Sequence, residues 1–274
     1  MAIITLTTDL GLKDYYIGSV KGAILSNCPQ AIIVDISHNI EKFHIMEASF
    51  ILKNAYKNFP EGTIHIIGVN TEASEETPHI AVYAEGHYFI GTDNGMFPLI
   101  LDKRPDKIIA LIPDTDKKLS TFPTKDIFVK AACHIAKGNP IEALGSVIEN
   151  YTEKMPSRAS TESNSIKGSV LYIDSYGNAI TNITLEDFNL IGKSRNFKIQ
   201  LKPSMKYAAE FGDSDYSINA IRKTYSEVIE GEISALFNSS GLLEIAINKG
   251  NAARLLGMKL REIIRIDFDD HQNS

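Results

Sequence analysis

The sequence predicts two domains of different class: an α/β N-terminal domain with a mainly parallel sheet, and an all-β, barrel-like C-terminal domain. Three observations predict this. Apolar, β-branched runs alternate with amphipathic runs of helical period through the first half of the chain. A polar stretch from Thr152 to Ser165, rich in Ser, Thr, Glu and Asn and containing Pro156, then interrupts the pattern. Beyond it, short strands recur between turns, as in a small barrel or sandwich. The expected boundaries are residues 1–151, a mobile connection over 152–165, and residues 166–274.

Each element has its own local signal. Ile3 to Leu6 reads as a buried strand. A helix follows from near Asp14, with Ile17, Val20, Ile24 and Leu25 on one face, and it stops before Pro29. Ala31 to Ile36 is strand-like, Ile45 to Tyr56 has helical period, and Pro60-Glu61-Gly62 turns the chain into a strand over Thr63 to Val69. His79 to Ala84 and Tyr88 to Ile90 form a predicted hairpin around Glu85-Gly86. Lys107 to Ile112 is a further strand, and Asp126 to Ala136 a helix closed by Gly138. In the second half the expected strands are Ser169 to Ile173, Ala179 to Ile183, Phe197 to Leu201, Glu232 to Phe237, Leu242 to Ile247 and Ile263 to Ile266.

Composition narrows the function. With 274 residues, 43% hydrophobic and 23% charged, the chain can bury a sizeable core. A net charge of −6 and no basic run argue against a nucleic-acid partner. No apolar run is long enough for a membrane span. The immediate entry into a strand lacks a signal-peptide layout. Cys28 and Cys133 are too few for a disulfide framework and lie in no Cys-x-x-Cys pair. The expected location is therefore cytoplasmic. The seven histidines, His38, His44, His65, His79, His87, His134 and His271, show no zinc-ligand spacing, so no metal is expected. His38, beside Ser37 at a strand end, is the one best placed to be polar and buried. Glycine-rich phosphate loops and a Gly-x-Ser-x-Gly elbow are missing from the sequence, which weakens dinucleotide, NTPase and serine-hydrolase readings.

Three segments carry candidate chemistry. Ile173-Asp174-Ser175-Tyr176-Gly177-Asn178-Ala179-Ile180-Thr181-Asn182 puts a carboxylate, an aromatic ring and carboxamides into one short turn. Such a set suits a heterocycle: the ring stacks on its face, the amide bonds its edge, and the carboxylate holds a positive group. A plain hairpin turn gives the same pattern. Thr7-Thr8-Asp9-Leu10-Gly11 ends the first strand, where open α/β sheets bind ligands, so Asp9 is placed to grip a hydroxyl pair such as a ribose diol. Helix capping is the alternative role for Asp9. The run from Asn238 to Ala252 offers small polar groups, Ser239 and Ser240 among them, to a carboxylate, although Leu242, Ile245 and Ile247 read as core.

Taken in order, these segments resemble the S-adenosyl-L-methionine hydrolases (S-adenosyl-L-methionine hydroxide adenosyltransferases), relatives of the fluorinases and chlorinases. The resemblance runs nearly end to end. It takes in Ile4 to Gly11, Gly18-Ser19-Val20-Lys21-Gly22, Ile33 to His38, Thr92-Asp93-Asn94-Gly95, Asp174 to Asn182, and Asn238-Ser239-Ser240-Gly241 through Asn251-Ala252. It implies a homotrimer with a nucleoside ligand held between one chain's first domain and its neighbour's second. It also implies that Asp9 binds the ribose hydroxyls with Phe43 beside them and that Asp174 holds the methionine ammonium. Tyr176 would stack on adenine, Asn178 would bond its edge, and Ser239 would meet the methionine carboxylate. Ser240 stands where the halogenating relatives carry arginine.

The implied reaction is attack of water or hydroxide on the ribose 5′ carbon, giving adenosine and L-methionine. A sulfonium leaves without acid assistance, so no metal or cofactor is required, and the site must place a nucleophile in line. This chain departs from the family where that nucleophile is handled. The hydrolases share an Asp-Pro-Gly-Val-Gly segment followed by arginine, and a later Phe-His-Gly-Arg-Asp segment. Here Ile67-Gly68-Val69-Asn70-Thr71-Glu72 and Phe122-Pro123-Thr124-Lys125-Asp126 stand instead, so the Asp becomes Gly68 and the His becomes Pro123. Asn70, Glu72, Thr124 or His79 could position the water by another arrangement, with Glu72 as a candidate base or merely a loop carboxylate. Binding of S-adenosylmethionine or adenosine without turnover, or a different nucleoside, are the alternatives. A halogenating site is matched by Phe122 and Thr124 but not by Asn70 and Ala73.

Overall fold

The computed structural model describes residues 1–112, 120–201 and 217–270. The chain forms two compact units, Met1–Pro156 and Ser157–Ser274. His271 lies outside the described residues.

The first unit is built on a seven-stranded sheet. Its strands are β1 (Ile3–Thr8), β2 (Ile32–Ser37), β3 (Ile64–Gly68), β4 (His79–Ala84), β5 (His87–Thr92), β6 (Lys107–Leu111) and β7 (Gly145–Val147), in the order β2-β1-β3-β5-β4-β6-β7. The sheet is mixed, which corrects the expectation of a mainly parallel one. The pairs β1–β2, β1–β3 and β3–β5 are parallel, whereas β4–β5, β4–β6 and β6–β7 are antiparallel. The Glu85-Gly86 hairpin is the cause, because it returns β5 against β4 and sets β6 beside the strand that runs the other way.

Helices cover both faces. Helix α1 (Tyr16–Asn27) buries Ile17, Val20 and Ile24, while Leu25, expected on the same face, stays 48% exposed. Helix α2 (Ile45–Tyr56) buries Ala48, Leu52 and Tyr56, and α3 (Phe97–Ile100) packs with it. Thr124–Phe128 forms a π-helical turn that runs directly into α4 (Val129–Ala136). Alternate residues of β1, β3 and β5 face opposite layers. Ile4, Leu6, Ile64, Ile66 and Ile90 pack with α1 and α4, while Ile67 and Phe89 pack with α2.

Among its described residues the second unit is all-β apart from two short α-helices and a 3₁₀ turn at Tyr225–Glu227. Its strands are β8 (Ser160–Thr161), β9 (Ser165–Ile173), β10 (Ala179–Thr184), β11 (Phe197–Gln200), β12 (Ser217–Ile218), β13 (Ile221–Arg222), β14 (Ile233–Phe237), β15 (Leu242–Ile247) and β16 (Ile263–Phe268). The sheet order is β12-β11-β16-β9-β10-β15-β14-β13, with β8 paired to β9. Its two terminal strands, β12 and β13, are joined by only Asn219-Ala220, so the sheet nearly closes on itself around Ile166, Ile183, Leu243, Ile245 and Ile266. Helix α5 (Leu185–Gly192) is capped by Thr184, whose side chain accepts the Asp187 N–H. Helix α6 (Ala252–Leu256) is capped in the same way by Asn251 for Arg254.

Candidate functional site

In the first unit the chain leaves β1 for β2 on one side and later returns as β3 on the other. The strand order therefore switches at β1, and the crevice beyond the carboxyl ends of β1 and β3 is the position where open α/β sheets take ligands. Thr8 and Gly68 are register partners there, and the next residues out are Asp9 and the loop bearing Val69 and Asn70.

Asp9 is buried, 7% exposed. Its Oδ2 accepts the Phe43 backbone N–H at 2.9 Å, and its backbone carbonyl accepts from Lys42 Nζ. No described residue donates to its other carboxylate oxygen. Phe43 holds a left-handed backbone (φ 64°) and leaves its ring 71% exposed beside that carboxylate. An unpaired carboxylate oxygen next to an exposed ring, in a strand-end crevice, suits a hydroxylated, partly apolar ligand.

Across the crevice, the π-helical turn brings Thr124 against β3. The Thr124 side chain is buried and occupies the space beside Gly68: a Cβ on Gly68 would lie 2.8 Å from Thr124 Oγ1, 2.9 Å from Thr124 Cγ2 and 3.1 Å from Thr8 Cγ2. Single-turn π insertions recur at functional sites because the widened turn re-aims side chains. Phe122, just before the turn, is half-buried and meets the edge of Tyr16 at a centroid distance of 5.3 Å, with Lys125 Nζ 5.5 Å from its own ring centroid. Asn70 adopts φ 48° and its carbonyl accepts Asn94 Nδ2 at 3.2 Å. Glu72 is exposed. His79 donates Nε2–H to the Thr71 carbonyl at 2.8 Å, and its ring meets the edge of Phe128, one turn beyond Thr124. Burial holds the His79 imidazole below the ordinary histidine range, partly opposed by that carbonyl.

Among the described residues, Glu41, His44 and Glu47 form the one set of three or more His, Cys, Asp or Glu side chains whose ligand atoms all lie within 4.8 Å of one another. Glu47 Oε2 already accepts the Glu41 N–H at 2.9 Å and stands 3.6 Å from His44 Nδ1, so the group serves as the entrance to α2.

In the second unit, the Asp174–Asn178 turn joins β9 to β10. Asp174 Oδ1 accepts the N–H groups of Tyr176 and Asn178, both at 2.9 Å, and Oδ2 accepts Asn178 Nδ2 at 3.1 Å. The carboxylate thus shapes its own turn, and it also fixes the Asn178 amide, which is buried at 6% exposure. Gly177 has φ +85° and rests on Asn251, which a Cβ would meet at 2.1 Å. Its carbonyl accepts the Ala253 N–H. Tyr176 projects outward, 77% exposed, so its ring is not core.

Ser239 and Ser240 are exposed in the β14–β15 turn, where Asn238 Oδ1 accepts the Ser240 N–H at 3.0 Å. This turn lies at the other end of the β10–β15 ladder from Asn178: Thr184 faces Leu242, while Ala179 faces Ile245. Between the two ends sits Glu244, 3% exposed, accepting the Tyr225 hydroxyl at 2.7 Å and Asn238 Nδ2 at 3.2 Å. Burial, the Glu244 bond and the charge of Asp174 push the Tyr225 phenol upward. Glu244 and Tyr225 are site neighbours that sequence reasoning missed. A lone Glu in the apolar run Leu242 to Ile247 was their only signal.

The arrangement defines a class: a mixed α/β unit with an open carboxylate at its strand switch, followed by a near-closed β unit that presents an exposed aromatic in a polar turn. Comparison with known proteins agrees. The SAM hydroxide adenosyltransferase N-terminal domain matches residues 4–145, and the SAM hydroxide adenosyltransferase C-terminal domain matches residues 168–265. The chain belongs to the SAM hydroxide adenosyltransferase family. It is 30% identical to the (R)-S-adenosyl-L-methionine hydrolase of Thermus thermophilus, over 92% of this chain and 94% of the relative. With the enzyme of the same name from Methanocaldococcus jannaschii it shares 29%, over 97% and 96%. The crystal structure of an uncharacterized conserved protein from Thermotoga maritima superposes with a TM-score of 0.84 at 27% identity, covering 97% of this chain and 99% of that one. Among the described residues no helix is long and apolar enough to cross a membrane.

Proposed function

We propose that this protein is an S-adenosyl-L-methionine hydrolase, in which water attacks the ribose 5′ carbon and releases adenosine and L-methionine. The observation that carries the reading is the open Asp9 carboxylate at the β1–β3 switch, set in a chain that matches the family over both units. In this reading Asp9 accepts the ribose hydroxyls, with Phe43 and Phe122 walling the sugar. Tyr176 stacks on adenine and the Asn178 amide bonds its edge. Asp174 neutralises the methionine ammonium, and Ser239 and Ser240 take the carboxylate. The water is held by the Thr124 hydroxyl, with Asn70 and Glu72 on the loop above. No cofactor or metal takes part, because the sulfonium supplies its own leaving group. The active form is a cytoplasmic homotrimer, each ligand clasped by residues 1–151 of one protomer and residues 166–274 of its neighbour.

Incubation of the purified protein with S-adenosylmethionine, followed by chromatography, should yield adenosine and methionine in equal amounts. Intact substrate after long exposure to excess protein would remove the hydrolase. Replacing Tyr176 with Ala should weaken ligand binding by about tenfold or more, the scale of one base–aromatic stack (~1–3 kcal/mol). A second reading, binding without turnover, is favoured by one feature: Thr124 fills the space where the family's Asp side chain would start at Gly68. Calorimetric binding of S-adenosylmethionine, lost in Tyr176→Ala and unaccompanied by product, would select it.

A further inference from the structure

We infer that His38 is the positioning residue that aims the Asp9 carboxylate at the ligand, acting through both ends of the Asp9 loop. The inference rests on the reading of Asp9 as the diol acceptor. His38 is 4% exposed and grips the loop twice. Its Nδ1 lies 2.8 Å from Thr8 Oγ1, just before Asp9, and its carbonyl accepts the Gly11 N–H at 2.8 Å, just after it. Gly11 turns there with φ +71°, and Thr8 Oγ1 also accepts the Leu10 N–H at 3.4 Å.

The chemistry of the partners fixes the direction of each bond. His38 Nε2 stands 3.1 Å from Asp35 Oδ1, at an oblique angle that falls short of an aligned hydrogen bond. A carboxylate has no proton to give, so the ring proton sits on Nε2 and Nδ1 is the acceptor. Thr8 must then donate its hydroxyl proton to Nδ1, which frees the oxygen to accept from Leu10. Lys21 Nζ, 2.6 Å from Asp35 Oδ2, anchors the far end. Burial pushes the Asp35 carboxyl up, but the neighbouring Lys21 and His38 outweigh this and keep it below the usual range. The chain Lys21–Asp35–His38–Thr8 therefore holds one tautomer, and through it the backbone on either side of Asp9. Phe43 and Lys42 complete the clamp from the other side.

The experiment measures affinity of the full-length protein for adenosine and for 2′,3′-dideoxyadenosine, which lacks the diol. Asp9→Asn should erase the preference for adenosine; if wild type shows no preference, or Asp9→Asn keeps it, the reading of Asp9 fails and the inference with it. Given that preference, His38→Leu should weaken adenosine about tenfold or more, the scale of a bond to a charged group, while leaving the dideoxy ligand within about twofold. His38→Asn, which keeps a polar atom at the Nδ1 position, should restore most of the loss; His38→Gln should not. Equal losses for both ligands in His38→Leu, or no loss for either, would overturn the inference. Should His38→Leu fail to fold, Asp35→Ala reads the same chain from its half-exposed end, and an unchanged preference there counts against it.

Discussion

Gly68 and Thr124 behave as one unit of substitution. A methyl group at Gly68 would press on Thr124 Oγ1 and Cγ2 below 3 Å, and both belong to a short, buried side chain with no room to swing away. Gly68→Ala alone should cost on the order of 1–3 kcal/mol, as overpacked cores do. Gly68→Ala with Thr124→Gly should recover most of that, giving a coupling of at least about 1 kcal/mol in a denaturation cycle. Additive losses would show that the two do not share the space. At this scale the sequence was legible where a residue's role depends on its own strand end. Asp9 and Tyr176 stand out by local chain chemistry and present an open carboxylate and an exposed ring, whereas Phe43, 34 positions from its Asp9 partner, is marked only by the family resemblance. It was silent where the role depends on a neighbour 30 or more positions away. The contact of Thr8 with His38, and of Gly68 with Thr124, exists only once β1, β2, β3 and the π-helical turn are assembled.

At the scale of elements, periodicity found the longer strands and the helices α1, α2 and α4, but it missed the short strands β7, β8, β12 and β13 and the helices α3 and α5, and it gave no strand direction. Parallel and antiparallel neighbours bury the same alternating apolar residues, so β4 and β7 carried no mark of running against β1. The widened turn at Thr124–Phe128 was likewise invisible, since nothing in Thr-Lys-Asp-Ile-Phe distinguishes it from an ordinary first helical turn. Asn251 illustrates an element with two duties. Its side chain caps α6 through the Arg254 N–H at 2.7 Å and supports Gly177 in the Asp174–Asn178 turn. Loss of the cap in Asn251→Ala should cost about 1 kcal/mol of stability. Loss of the support should also loosen the turn, which amide exchange at Gly177 and Asn178 would report as faster than in wild type. A variant with the stability cost but unchanged exchange would separate the two duties.

At the scale of the whole molecule, the division into an α/β unit and a barrel-like unit was written in the change of residue pattern after residue 151, whereas the polarity of the first sheet was not. The first unit also carries a built-in sensitivity to acid. His65 is fully buried, with Nδ1 2.7 Å from Thr5 Oγ1 and Nε2 3.3 Å from His87 Nδ1. Burial, and next the neighbouring imidazole, lower His65 to about 3, and burial lowers His87 as well. An unfolded chain binds those protons near pH 6.5, and the folded one does so only at lower pH. Between those values the unfolded state holds more protons, so folding stability falls as pH drops from about 6.5 toward 3. Thermal unfolding midpoints should decline across that window, by roughly 2–4 °C for each kcal/mol lost at this size. His65→Gln should flatten the decline, and an unchanged slope in that variant would assign it to other groups.

The close packing of Thr124 on Gly68 has a consequence for how such a sequence can be reached. Starting from the family's Asp and Gly at these two positions, threonine cannot arrive first, because the aspartate stem already fills its place. The aspartate must shrink to glycine before the threonine enters, and any return must drop the threonine before a carboxylate is regained. Exchange between the two arrangements by single substitutions therefore runs through a pair of small residues, a pocket emptier than either end state.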